Sequence, residues 1–205
     1  MAEPALWAVV LAAGEARRMG GRPKPLCEVG GEPMVRRVVR RALQAVDGGV
    51  VVVVGAHAPL VAAAVEGLGP RVATVENPRF AEGMSTSLKA GIGALPPSAC
   101  GALVLLADQP GVSAALLRSL QAAWRGALAA ACRYPDGTAG PPCILGKALW
   151  PRVQALAGDQ GARRILSELG PRLALVQAPA AQLVDVDTPE DLEAWQVGGH
   201  GGGDC

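Results

Sequence analysis

Unbroken runs rich in apolar residues, bounded by turn formers, recur along the chain at LWAVVLA (6–12), VVVVV (50–54), RVATV (71–75), ALVLLA (102–107) and LVDVD (183–187). Their length and valine content predict strands covered on both faces. Helical spacing fills the intervals. Residues 33–46 place Met34, Val35, Val38, Val39, Ala42 and Leu43 on one stripe, with Arg36, Arg37, Arg40 and Arg41 opposite as a solvated outer face, and Pro33 suits a first turn. Residues 59–68, 86–94 and 113–125 repeat the pattern, the last with Ser113 as a cap. Strand and helix thus alternate over residues 1–125, which implies right-handed crossovers and a mostly parallel sheet. After Ala127 the segment ALAAACRYPDGTAGPPCILG predicts two short strands joined at PDGT, as an antiparallel excursion over one end of the sheet. Helices are expected at 147–156 and 160–169, then RLALVQ, the strand 183–187 and a last helix opened by Thr188 and Pro189. A chain of 205 residues fits one domain, over 1–197, and the glycine-rich end 198–205 is expected to be disordered.

Composition narrows the partners. The 19 basic and 18 acidic residues balance, so no bulk field favours nucleic acid or an anionic membrane, and anion recognition must be local. Four Trp, one Tyr and one Phe make base-stacking platforms scarce. No apolar run approaches the roughly 20 residues that span a bilayer, and Glu3 and Pro4 interrupt the start, so a cytoplasmic location is expected. The five cysteines form no CxxC, which argues for reduced thiols rather than a disulfide framework or a zinc site.

The candidate chemistry begins where the first strand ends, in LAAGEARRMGGRPK (11–24). Gly14 lacks a Cβ and lets backbone approach a ligand closely, and Arg18 and Lys24 add fixed positive charge. The stretch matches neither GxxxxGK[ST] nor a GxGxxG that opens a helix, so an ordinary loop with solvated arginines stands beside the anion-binding reading. Asp108 follows one predicted strand and Asp187 ends another. Each alone suits a turn or helix cap. If the two strands are parallel neighbours, the carboxylates converge as Mg²⁺ sites require. Asp185 points to the opposite strand face.

Five stretches in order carry a resemblance: LAAGEARRMGGRPK, ENPRFAEGMSTSLKAG (76–91), LLADQPGV (105–112), GDQGARRIL (158–166) and DVDTPEDL (185–192). Together they resemble the MobA-like NTP transferases that attach a nucleotide to the molybdenum cofactor, a branch of the nucleotide-diphospho-sugar transferase fold. The resemblance implies a single-domain, three-layer αβα Rossmann-like fold with a mostly parallel mixed sheet. It implies that Arg18 and Lys24 hold phosphates, that Leu11, Ala12, Ala13 and Gly14 frame the base, and that Asp108 and Asp187 hold Mg²⁺, or Mn²⁺ in its place. Arg18, Lys24 and Asp108 are then the catalytic set. Asn77, Gly83, Ser85 and Ser87 offer short groups for the base edge or ribose, with capping of the helix that begins there as the alternative.

The only histidines, His57 and His200, lie outside every one of these stretches, so no general base is on offer. None is needed if the nucleophile is a phosphate monoester, which is ionised at neutral pH. LAAG and DQP resemble the cytidylyltransferases, with CTP as donor, rather than the guanylyltransferases, with GTP. The acceptor implied is a molybdopterin-type phosphate, and beyond it a recipient molybdoenzyme or its chaperone; nucleic acid and membrane are not expected partners. Pro141, Leu145 and Ala16 depart from the family pattern, and Arg163 and Arg164 offer either an acceptor phosphate site or surface ion pairs. A guanylyltransferase, a sugar- or alcohol-phosphate nucleotidyltransferase and a nucleotide-binding delivery protein without turnover are the alternatives.

Overall fold

In the computed structural model the described residues are 3–15, 23–125 and 127–197. Along the chain these form β1 (Ala5–Ala12), β2 (Glu28–Val29), β3 (Glu32–Pro33), α1 (Met34–Leu43), β4 (Val50–Val54), α2 (Ala58–Val65), β5 (Val72–Glu76), α3 (Met84–Gly93), β6 (Ala99–Leu106) and α4 (Ala114–Trp124). The remainder supplies β7 (Ala129–Arg133), β8 (Ala139–Gly146), α5 (Trp150–Gln154), α6 (Ala162–Leu166), β9 (Leu173–Gln177) and α7 (Pro189–Val197). Residues 198–205, expected as a tail, lie outside the described part.

The main sheet has seven strands in the order β5-β4-β1-β6-β8-β7-β9, and only β8 runs antiparallel to its neighbours. The fold is therefore α/β with a mostly parallel sheet, as the alternating pattern predicted. Period-two alternation within the strands divides the core into two layers. Leu6, Ala8, Val10 and Ala12 of β1 pack with α1, α2 and α4 on one face. Val9 and Ala13 pack with α3, α5 and α6 on the other.

Three expectations require correction. The hairpin formed by β7 and β8 is not laid over one end of the sheet; β8 pairs with β6 and sits inside it. Residues 71–75 do give a strand, but β5 is at an edge, and Ala73, Thr74 and Glu76 are exposed. Residues 183–187 form no strand. They run extended past the end of β6, where the Val186 amide donates to the Asp108 carbonyl at 2.9 Å, and side chains supply most of the other ties.

The arginine face of α1 also differs from its predicted solvated state. Arg37 and Arg41 are buried, at 8% and 9% exposure. The Arg37 guanidinium donates to the Pro110 carbonyl at 3.0 Å, lies 3.6 Å from a Glu32 carboxylate oxygen and sits over the Trp195 ring of α7. Arg36 donates to the carbonyls of Ala64 and Glu66 at the end of α2. These arginines thus anchor α1 to the elements around it. Removing one partner of a buried ion pair leaves the other unsatisfied. Arg37→Ala should therefore lower unfolding stability by about 2–4 kcal/mol in urea titrations. Arg40→Ala, which removes a half-exposed partner of the same Glu32, should cost under about 1 kcal/mol.

Candidate active site

The order of strands reverses beside β1, which has β4 on one side and β6 on the other. Open sheets of this kind leave a crevice at the carboxyl ends of the strands flanking such a switch. Here that crevice is a pocket of about 490 Å³, a size suited to a nucleotide-sized ligand. Its lining comes from the end of β1 (Leu11, Ala13, Gly14, Glu15), the end of β6 (Leu106, Asp108) and the entry to α3 (Phe80, Ala81, Gly83, Met84, Ser87), with Asp159 closing one side.

Two glycines of the pocket differ in kind. Gly83 has φ +112°, and a Cβ there would lie 2.4 Å from the Gly158 carbonyl oxygen. The close approach is fixed by the Ser85 amide, which donates to that same carbonyl at 3.0 Å. Hence the chain's own packing demands Gly83, because it docks the start of α3 on the GDQG turn. Gly14 is the opposite case. A Cβ built on it would meet no atom of the described residues within 4 Å. Packing among the described residues does not explain its lack of a side chain.

At the pocket's edge, the first turn after the glycine- and arginine-rich stretch presents Lys24. Its ammonium donates to Asp108 Oδ2 at 2.6 Å and to Asp187 Oδ1 at 2.5 Å. Residues 84 and 163 positions away in sequence are thereby joined at one nitrogen. The Lys24 side chain is only 13% exposed, whereas Asp187 is half open to solvent. Burial pushes the lysine pKa down, but the charges and hydrogen bonds of Asp108 and then Asp187 outweigh it, and the net shift is upward. Asp108 Oδ1, by contrast, is buried without a hydrogen-bond partner among the described residues. Asp187 is freed from capping duty. Thr188 Oγ1 accepts from the Asp191 amide, while Asp191 Oδ2 accepts from the amides of Asp187 and Thr188, a reciprocal cap that opens α7 and leaves the Asp187 carboxylate for Lys24.

The structure brings Leu11, Ala13, Gly14, Gly83, Ser87 and Asp108 together around one cavity, with Lys24 and Asp187 joined to it through Asp108. Arg18 lies outside the described residues. The Ala12 side chain belongs to the opposite core layer. Asn77, 3% exposed, donates through Nδ2 to Thr86 Oγ1 and Ser87 Oγ, which braces the start of α3. Ser85 is 1% exposed. Neither serine caps the helix: Gly83 is the N-cap, and Thr86 Oγ1 bonds back to its carbonyl. Gln109 is 1% exposed and faces the hairpin and residues 183–185 rather than the pocket. Arg164 pairs with Glu168, and Arg163 stacks over the Tyr134 ring with 4.6 Å to the centroid. Sequence reasoning missed Glu15, Phe80, Ala81, Met84, Leu106 and Asp159 as lining residues. Nothing in the composition of GDQG signals that its turn abuts Gly83.

The MobA-like NTP transferase domain family matches residues 8–173. Similar proteins include the purine catabolism protein PucB of Bacillus subtilis, 32% identical over 94% of this chain and 97% of its own length. The nicotine blue oxidoreductase of Paenarthrobacter nicotinovorans is 30% identical over 92% of this chain and 95% of its own. A probable molybdenum cofactor guanylyltransferase of Natronomonas pharaonis is 36% identical over 55% of this chain and 54% of its own. Among solved structures, a nucleotidyl transferase from Methanothermobacter superposes with a TM-score of 0.81 at 27% identity, covering 95% of this chain and 97% of that one. Rv0371c of Mycobacterium tuberculosis, in a complex with manganese, has a TM-score of 0.74 at 28% identity, with coverage of 94% and 98%.

Two outcomes are expected. Gly83→Ala should lose about 2–4 kcal/mol of stability, whereas Gly14→Ala should change it by under about 0.5 kcal/mol, both read from urea midpoints. The Lys24 pKa is raised on folding, so the bridge contributes in full below the unfolded lysine value near 10.4 and is lost as pH rises through the higher folded value. The stability gap between wild type and Lys24→Met should therefore hold from pH 7 to about 10 and narrow above it.

Proposed function

Because the chain belongs to the MobA-like NTP transferase domain family, we propose that it transfers CMP from CTP to the terminal phosphate of the molybdenum cofactor and releases pyrophosphate. The observation that carries this reading is the Lys24 ammonium held between Asp108 and Asp187 at the edge of the pocket that Leu11, Ala13 and Gly14 line.

In this reading the pocket takes the nucleoside. Ala13 narrows the base side, and it cannot retreat: a Cβ on Gly55 would already lie 2.8 Å from the Ala13 Cβ. That favours a pyrimidine over a purine. Gly14 leaves its backbone open to the ligand, and Ser87 offers a hydroxyl at the wall. Lys24 and Arg18 take the phosphates.

Asp108 and Asp187 fit a divalent cation. The buried Asp108 Oδ1, which has no partner among the described residues, is an acceptor suited to a cation, and a relative of this fold has been solved with manganese. Bound there with the triphosphate, Mg²⁺ or Mn²⁺ supplies charge stabilisation to the transferring phosphoryl group. The chain's own part is positioning and electrostatics. An ionised oxygen of the acceptor's phosphate monoester attacks the α-phosphorus in line. The bond to the α,β-bridging oxygen breaks, its electron pair leaves with pyrophosphate, and no side chain need remove a proton. Lys24 offsets charge developing on the phosphates.

A second reading keeps the transfer and changes the substrates. Gln109 does not reach the pocket, so DQP gives no direct contact in favour of cytosine, and the Natronomonas relative is named for guanylyl transfer. GTP as donor, or a sugar- or alcohol-phosphate acceptor, follows from that reading.

Pyrophosphate release by the pure protein with CTP, GTP or ATP, Mg²⁺ and molybdopterin-bound molybdenum tests both. CTP should turn over fastest. Asp108→Asn and Lys24→Met should each lower kcat by about a hundredfold or more, and Gly14→Ala should raise the CTP KM with stability unchanged. Faster turnover of GTP selects the second reading; absence of pyrophosphate with every triphosphate and acceptor, or full activity in Asp108→Asn, overturns the transferase mechanism.

A further inference from the structure

Residues 181–187 carry Asp187, yet no strand ladder holds them. What fixes their place is a set of separate ties to the turn after β6. The Val186 amide bonds the Asp108 carbonyl, and the Ser113 amide donates to Gln182 Oε1 at 3.1 Å. The most deeply buried of the ties is Gln109. Its Nε2 lies 2.8 Å from the Tyr134 hydroxyl, 2.8 Å from Asp185 Oδ1 and 3.5 Å from the Leu183 carbonyl. The Tyr134 hydroxyl in turn donates to the Pro141 carbonyl at 2.5 Å, so it accepts from Gln109. One amide nitrogen therefore connects the residue after Asp108, the residue two before Asp187, and the β7–β8 hairpin.

The bonds run through backbone that is one or two residues from each carboxylate. A side chain 1% exposed has no access to a base in the pocket. We propose that Gln109 is a positioning residue that sets Asp187 against Asp108, and that Asp185 serves it as a hydrogen-bond acceptor without itself binding the cation. The inference rests on the reading of Asp108 and Asp187 as the cation-holding pair.

Its test uses Mn²⁺ titrated into the full-length protein with CTP present, followed by electron paramagnetic resonance, beside steady-state kinetics. Gln109→Leu and Asp185→Ala should each weaken Mn²⁺ binding by about tenfold or more and lower kcat, with the CTP KM within about twofold and the CTP-to-GTP preference unmoved. Asp185→Asn keeps an oxygen for Nε2 and should restore Mn²⁺ binding to near wild type. Val65→Ala, a buried core change far in sequence from the site, controls for lost stability and should leave Mn²⁺ binding unchanged. Should Gln109→Leu not fold, the two Asp185 variants decide the matter alone.

Mn²⁺ binding as poor in Asp185→Asn as in Asp185→Ala would make Asp185 a charged participant and overturn the proposal. So would a shift in nucleotide preference in Gln109→Leu. Asp108→Asn and Asp187→Asn separate the layers: if neither alters Mn²⁺ binding, the cation reading itself fails, whereas if both do and Gln109→Leu does not, only this inference falls.

Discussion

Two ionised carboxylates brought to one point of a protein repel each other unless a cation lies between them. At a separation of about 4 Å their repulsion is on the order of 4 kcal/mol at the effective dielectric of a protein surface. The Lys24 ammonium, 2.6 and 2.5 Å from Asp108 and Asp187, removes that penalty and so determines where residues from three distant parts of the chain come to rest. The three groups still sum to one negative charge, with a buried Asp108 oxygen unpartnered among the described residues. In the proposed reaction that remainder attracts a divalent cation. A triphosphate offers Lys24 new anionic partners at the same time, so the bridge passes from one set of anions to another.

The rest of the fold serves this contact by making the pocket beside it rigid. The pocket opens where β4 and β6 flank β1 and the strand order reverses, and alternation along β1 gives each core layer its own half of the strand. Two close approaches then hold the walls. Gly55 backs Ala13 from behind, and Gly83 rests on the Gly158 carbonyl, which ties the start of α3 to the turn that carries Asp159. On the other face the buried Arg37 of α1 joins the turn after β6 to Trp195 of α7, so the turn that bears Asp108 and the helix that follows Asp187 share a common anchor.

Much of this was legible in the sequence, and what was not has identifiable physical causes. The valine runs of β1, β4 and β6 are long and buried, so period and composition suffice to find them. The segment 183–187 also alternates, yet its backbone groups find Asp108 and side chains instead of a neighbouring strand, and local pattern does not register which partner a backbone amide will choose. The arginines of α1 were misread for a similar reason. Opposite the apolar stripe they have the pattern of a solvated face, but α2, Trp195 and the turn at Pro110 cover that side in three dimensions. Asp108, Asp187 and Lys24, which the structure brings together, could be singled out because charged groups beside apolar runs carry their signal in residue type. Phe80, Met84 and Asp159 could not, since a wall residue contributes shape, and shape depends on which turns happen to meet.

The two halves of the site are consequently held by different physics. The wall proposed to take the base is held by close packing, glycines pressed against carbonyls and a methyl pressed against a glycine, and by buried hydrogen bonds from Asn77 that brace the helix start. Packing of that kind has one solution and resists displacement. The carboxylate side is held by hydrogen bonds and charge, through Gln109, Val186 and Lys24, with Asp187 half open to water. Such ties can exchange partners at little net cost, because each bond lost is replaced by another of similar strength. A transferase needs that division. Recognition of the nucleoside calls for fixed walls, whereas the phosphate end must accept a cation, a triphosphate and a second phosphate in turn, then release pyrophosphate, and only a polar, re-pairable framework accommodates each of those charge states.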